Sequence, residues 1–110
     1  MPRDYKIYLD DILTAINKIE KYLNDYSFER FMFDEEKIDA VIRNLEIIGE
    51  AVKNIPADIK QKNHTLEWKK VAGLRDILIH EYFGVDKEVL WDIIKNKLPE
   101  LKSKISTIIG

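Results

Sequence analysis

Residues 34–56 read DEEKIDAVIRNLEIIGEAVKNIP. Ile38, Val41, Ile42, Leu45, Ile48, Val52 and Ile55 recur at helical spacing, so one face of an α-helix is apolar and the opposite face is charged. Asp34, Glu35 and Glu36 stand where a helix begins, because the unpaired N–H groups of a first turn favour negative charge. Pro56 ends the pattern: it has no N–H to donate, and its ring pushes the preceding residue out of helical backbone. A stripe this long has to be buried against others like it, and the flanking sequence supplies them.

On the N-terminal side, Tyr5, Tyr8, Leu9, Ile12, Ile16, Ile19 and Leu23 form a second stripe, with Asp4 placed as its N-cap. It fades at Asn24-Asp25, and Ser27 is positioned to cap a short turn through Phe28, Phe31 and Phe33. On the C-terminal side, residues 57–64 form a polar connection with room for one helical turn. Thr65 is placed to cap a third helix from about Leu66 to Tyr82, closed by Gly84 as a left-handed cap. Asp86 caps a fourth helix carrying Val89, Leu90, Ile93 and Ile94. Pro99 sits where a helix can start but not continue. The tail is therefore a kinked helix, or two helices meeting at Leu98-Pro99, with Leu101, Ile105 and Ile108 continuing the apolar face. No strand-like alternation or repeat interrupts this pattern. The expectation is an all-α fold, an antiparallel up-down bundle of four or five helices forming a single domain over residues 1–110.

With 45% hydrophobic and 35% charged residues the chain can bury a core and stay soluble. The absence of cysteine excludes disulfides, thiolate nucleophiles and cysteine-based zinc sites. Met1-Pro2-Arg3-Asp4 opens without a signal-like apolar run, and no apolar stretch is long enough to span a bilayer, so a cytoplasmic protein with no membrane contact is expected. The net charge of −2 is unevenly spread: Phe28–Glu50 carries three bases and seven acids, Lys60–Arg75 five bases and one acid. Solvated helical surface and a basic face for an anionic partner both fit that asymmetry.

The third helix holds the residues with chemistry. At about 100° per residue, Trp68, Val71, Ala72, Leu78, Ile79 and Tyr82 share one side, and Arg75 lies in the middle of it. A guanidinium stays charged and is costly to bury without an anion. Arg75 therefore snorkels outward, pairs with a carboxylate such as Glu46 or Glu50, or borders a cleft that takes phosphate. Leu74 and Ile77 lie on another side, in the sector of Gly73, so the helix is apolar on two sides and a second protomer is a natural cover. Gly49 and Gly73, both inside helical patterns, suggest close helix crossings. His80 lies about 140° from Arg75 and serves as a helix-end residue or a proton carrier; His64, in the polar connection, is a surface residue. Without a cysteine, a nucleophile-elbow serine, a glycine-rich phosphate loop or a transition-metal ligand set, what remains is one Arg, one His and one Tyr. These suit attack of an RNA 2′-hydroxyl on its own phosphate: His moves the proton, Arg holds phosphate oxygens, and Tyr donates a hydrogen bond or stacks on a base. Since the RNA supplies the nucleophile, that chemistry needs no metal or cofactor. His80, the one histidine of this set, would have to be doubled by a two-fold dimer to supply acid and base together.

The stretch from Trp68 to Asp86, WKKVAGLRDILIHEYFGVD, resembles the HepT-like branch of the HEPN superfamily, as do Ala40–Ala51, AVIRNLEIIGEA, and the late Leu98-Pro99-Glu100-Leu101. The resemblance implies an all-α bundle that dimerises with an Arg-x4-His-x-Tyr cleft at the interface. It implies a metal-independent endoribonuclease toxin of a two-gene toxin-antitoxin system, with Arg75 and His80 catalytic. It also implies a minimal nucleotidyltransferase antitoxin that silences the toxin by transferring AMP to Tyr82. The alternative from another class is a non-catalytic HEPN module whose cleft binds a nucleotide or a partner and assists the nucleotidyltransferase.

Overall fold

The N-terminal stripe folds as helix α1, Tyr5–Tyr22, in a computed structural model that describes residues 4–73 and 86–109. Asp4 caps it, its carboxylate accepting from the Lys6 N–H at 3.0 Å. The chain then turns through Asp25, whose φ of 66° is left-handed backbone that Asp tolerates better than most residues. Ser27 accepts from the Arg30 N–H at 3.1 Å and starts the short helix α2, Phe28–Met32. Helix α3, Glu35–Lys53, begins behind Asp34, which caps the Lys37 N–H at 3.2 Å. The Tyr26 hydroxyl donates to the other Asp34 oxygen at 2.6 Å, and Lys37 lies over the Tyr22 ring at 5.3 Å. The first turn of α3 is thereby pinned beside the last turn of α1, and α3 runs back along α1 as an antiparallel neighbour.

The interface between these two helices is the densest in the described chain. Leu9, Ile12, Ile16 and Ile19 of α1 and Val41, Leu45, Ile48 and Val52 of α3 are fully buried. Burying each such side chain contributes about 1.5–3 kcal/mol relative to leaving it in water. Asn44 is buried among them, and its amide donates to the Ala40 carbonyl at 2.8 Å, so it does not enter the core unpaired.

Helix α3 stops at Lys53, before Pro56, and Pro56 itself becomes the entry to α4, Ala57–Lys62. Helix α5 begins at residue 68 and is described to residue 73. Its start differs from the expectation that Thr65 caps a helix at Leu66. Leu66 is instead drawn into the core, its N–H donates to the Asn63 carbonyl at 3.1 Å, and the helical ladder begins on the Glu67 carbonyl, which accepts from Lys70 and Val71. The buried Trp68 adds a second bond to Asn63, its indole N–H lying 3.1 Å from the same carbonyl.

Asp86 caps α6, Lys87–Asp92, accepting from the Glu88 N–H at 2.8 Å. The chain continues without a break through a π-helical segment, Ile93–Lys97, into α7, Leu98–Ile109. Pro99 explains the wide turn: it cannot donate to the Lys95 carbonyl, and its ring would press on it. The Leu98 N–H reaches back to Ile93 instead, a five-residue π bond. Every element among the described residues is helical, as expected, and none is long and apolar enough to cross a membrane.

The Tyr26–Asp34 bond supplies a test of the α1–α3 corner. The Tyr26 hydroxyl, and then the Lys37 N–H, hold the Asp34 carboxyl below the usual carboxylate range, while the phenol itself is raised. A depressed carboxyl pKa stabilises the fold above its unfolded value of about 3.9, and that contribution disappears as pH falls through the folded value. Tyr26→Phe is expected to bring the Asp34 titration back up, as followed by NMR. Its stability deficit at neutral pH should shrink below about pH 4. A deficit that does not change with pH would contradict this account.

Candidate functional site

Arg75, His80 and Tyr82 all lie outside the described residues, as do the possible Arg75 pairing with Glu46 or Glu50 and the Gly84 cap. What the structure describes is the frame on either side of them. Going in, α5 is anchored by Leu66 and Trp68 in the core, with Val71, Ala72 and Gly73 partly buried. Coming out, Asp86 fixes the first turn of α6 while the Lys87 ammonium donates to the Met32 carbonyl at 3.0 Å. Trp91 stacks at a tilt against Phe31, centroids 5.2 Å apart, and against Phe28 at 5.9 Å. Such aromatic pairs add about 0.5–1.5 kcal/mol beyond the area they bury. The two ends of the motif segment are therefore held by α4–α5 on one side and by α2 on the other.

The surroundings of that frame are basic on the entry side. Lys69 and Lys70 are exposed on α5, and Lys60 and Lys62 stand on α4. A groove of 410 Å³ opens beside the start of α5, walled by the π-helical segment and α7. His64 is exposed in the turn before α5, as its position in a polar connection led us to expect. Among the described residues no group of three or more histidine or carboxylate side chains is placed to hold a metal ion.

Gly73 departs from one expectation. A Cβ built on it would meet no atom within 4 Å among the described residues, so no described helix crosses closely there. Sequence reasoning also missed the groove and the π-helical segment. Pro99 and the lysines just before it were the available signal, but a proline at that position fits a kink, a break or a wide turn equally well.

The family model described as ribonuclease HepT-like matches residues 12–108. A Thermococcus cleftensis protein named "Probable ribonuclease HepT" is 48% identical, over 98% of this chain and 98% of its own. A Methanocaldococcus jannaschii protein named "Putative RNase" is 46% identical, over 99% of this chain and 91% of its own. A second protein of that organism, named "Gamma-glutamylcyclotransferase and putative RNase", is 45% identical over 99% of this chain, which covers 49% of the longer protein. No solved structure matches the chain.

Open space at Gly73 predicts that Gly73→Ala stabilises the chain by about 0.5–1 kcal/mol, the usual helical advantage of Ala over Gly. Thermal denaturation checks it. A loss of stability would mean that residues outside the described ones, or a second chain, press on this position.

Proposed function

The chain belongs to the ribonuclease HepT-like family, and from that premise we propose that it is a metal-independent endoribonuclease whose site is built from Arg75, His80 and Tyr82. The observation that supports this most is the motif Arg75-x4-His80-x-Tyr82 in a chain that aligns end to end with relatives named as ribonucleases. In the proposed reaction the RNA 2′-oxygen attacks the adjacent phosphorus and the P–O5′ bond breaks. The 2′-hydroxyl proton is taken up, and a proton is given to the departing 5′-oxygen. His80 is the group able to do either near neutral pH. Arg75 binds two non-bridging oxygens and balances the charge that gathers on them in the transition state.

On a helix the directions of Arg75 and His80 differ by about 140°, so one copy aims them apart. A two-fold homodimer brings an Arg and a His from each copy to one cleft and supplies acid and base together. By sequence spacing, a helix continued through this stretch is apolar on two sides, Val71 and Ala72 on one and Leu74 and Ile77 on the other, which favours that assembly.

The proposal extends to a two-gene toxin-antitoxin system in which a minimal nucleotidyltransferase silences the nuclease. In that step the Tyr82 phenol oxygen attacks the α-phosphorus of ATP, the bond to the β-phosphate oxygen breaks, and pyrophosphate and the phenolic proton leave. Tyr82 lies about 20° from Arg75 on the helical wheel, so the new phosphate is placed to occupy the guanidinium that RNA needs. A non-catalytic module that binds a nucleotide or the transferase itself is the second reading, favoured by the modest overall charge of −2.

Purified protein is expected to cut RNA in the presence of EDTA. His80→Ala should lose at least about a hundredfold in rate, the scale of general acid–base catalysis. Arg75→Lys should be impaired as well, because an ammonium cannot make the two-pronged phosphate contact. Full activity in His80→Ala, or loss on chelation, would remove this mechanism. With the transferase and ATP, mass spectrometry should find AMP on Tyr82, and Tyr82→Phe should escape silencing. AMP found only elsewhere would overturn the regulatory step.

A further inference from the structure

The groove beside α5 has a construction that the proposed chemistry does not use. Its floor is aliphatic, with Leu66, Leu98 and Leu101 buried and Val71 and Ile93 partly so. Its rim carries Lys70 from α5, Lys97 from the π-helical segment and Lys104 from α7. Lys70 thus meets Lys97 and Lys104, which lie on one continuous helical run, along one open channel. Residues 60–75, which include the α5 wall, carry the chain's basic excess of five bases to one acid.

The rim charges are held in a way that leaves them exchangeable. Lys70 pairs with Glu67 at 3.0 Å, with both side chains largely exposed. Lys104 pairs with Glu100 at 3.1 Å and also donates to the Thr65 carbonyl at 3.1 Å. Exposed pairs of this kind contribute about 0–1 kcal/mol, less than a phosphate offers an ammonium in a partly dry groove. Lys97 is exposed and forms no ion pair among the described residues. Its position follows from Pro99, because the π bond that bypasses the missing proline N–H widens the helix there.

We propose that this groove carries the backbone of single-stranded RNA next to the cleavage site, with Lys70, Lys97 and Lys104 taking successive phosphates and the aliphatic floor taking sugars and base edges. The inference rests on the endoribonuclease reading for the identity of the strand. Its geometry comes from the groove itself, and in sequence Arg75 follows closely on Gly73, the last described residue of α5. Lysines without planar donor pairs read charge rather than sequence, so the groove contributes affinity and a path but no base preference.

The test uses the full-length protein and a short 2′-O-methyl oligouridylate, which has no free 2′-hydroxyl and stays intact. Binding is measured across a salt series. Lys70→Gln and Lys97→Gln are each expected to weaken binding roughly fivefold. Each should also reduce the slope of log affinity against log salt by about 0.7, the value for one phosphate contact on a single strand. Glu67→Gln and Glu100→Gln free Lys70 and Lys104 and should tighten binding, a change that damage to the fold cannot imitate. Lys102→Gln removes the same charge from α7 outside the groove, where Lys102 pairs with Glu20 of α1, and should bind as the parent does. If the groove variants match Lys102→Gln, or the glutamate variants weaken binding, the groove is not an RNA path. If binding follows the expected pattern while RNA with free 2′-hydroxyls is left uncut, the groove stands and the cleavage reading falls. Normal cleavage with unchanged binding in every variant overturns the groove alone.

Discussion

Leu9, Ile12, Ile16 and Ile19 interlock with Val41, Leu45, Ile48 and Val52 out of all contact with water, and α2 and α7 are placed against that pair of helices. The interlock works because both stripes keep helical spacing over four or more turns, so the two ridges mesh along their length rather than at a single crossing. Its register is fixed at one corner, where Tyr26, Asp34 and Lys37 tie the start of α3 to the end of α1. α7 completes the packing, with Ile105 fully buried and Lys102 reaching Glu20 of α1 at 3.0 Å.

Against this frame the motif segment is suspended between two anchors. Leu66 and Trp68 commit the start of α5 to the core, and the Trp68 indole shares the Asn63 carbonyl with the Leu66 N–H. Lys87 and Trp91 commit α6 to the opposite side, onto α2.

The long amphipathic stretches were legible in the sequence because burial selects a periodic pattern that nothing else produces. The caps at Asp4, Ser27, Asp34 and Asp86 were legible because a short oxygen-bearing side chain ahead of an apolar stripe has one efficient use. Thr65 misled for the same reason: it has the right chemistry, but Leu66 next to it is worth more in the core than in a first helical turn. Pro99 declared a disturbance without declaring its form, since kink, break and π turn satisfy the missing N–H equally well. At the site the sequence supplied residue types and spacing, Arg75, His80 and Tyr82, and the family membership supports what they imply. The groove brings Lys70 to Lys97 and Lys104, far along the chain from it, and no local pattern announces such a meeting.

In the proposed reaction the RNA is cut by its own 2′-oxygen, with protein side chains managing protons and charge. The ends of the cleaved fragments record that directly. Mass spectrometry of a defined RNA cut by the EDTA-treated protein should show 2′,3′-cyclic phosphate on one fragment and a 5′-hydroxyl on the other. A 3′-hydroxyl facing a 5′-phosphate would mean that water, not the 2′-oxygen, attacked the phosphorus, and would contradict the account.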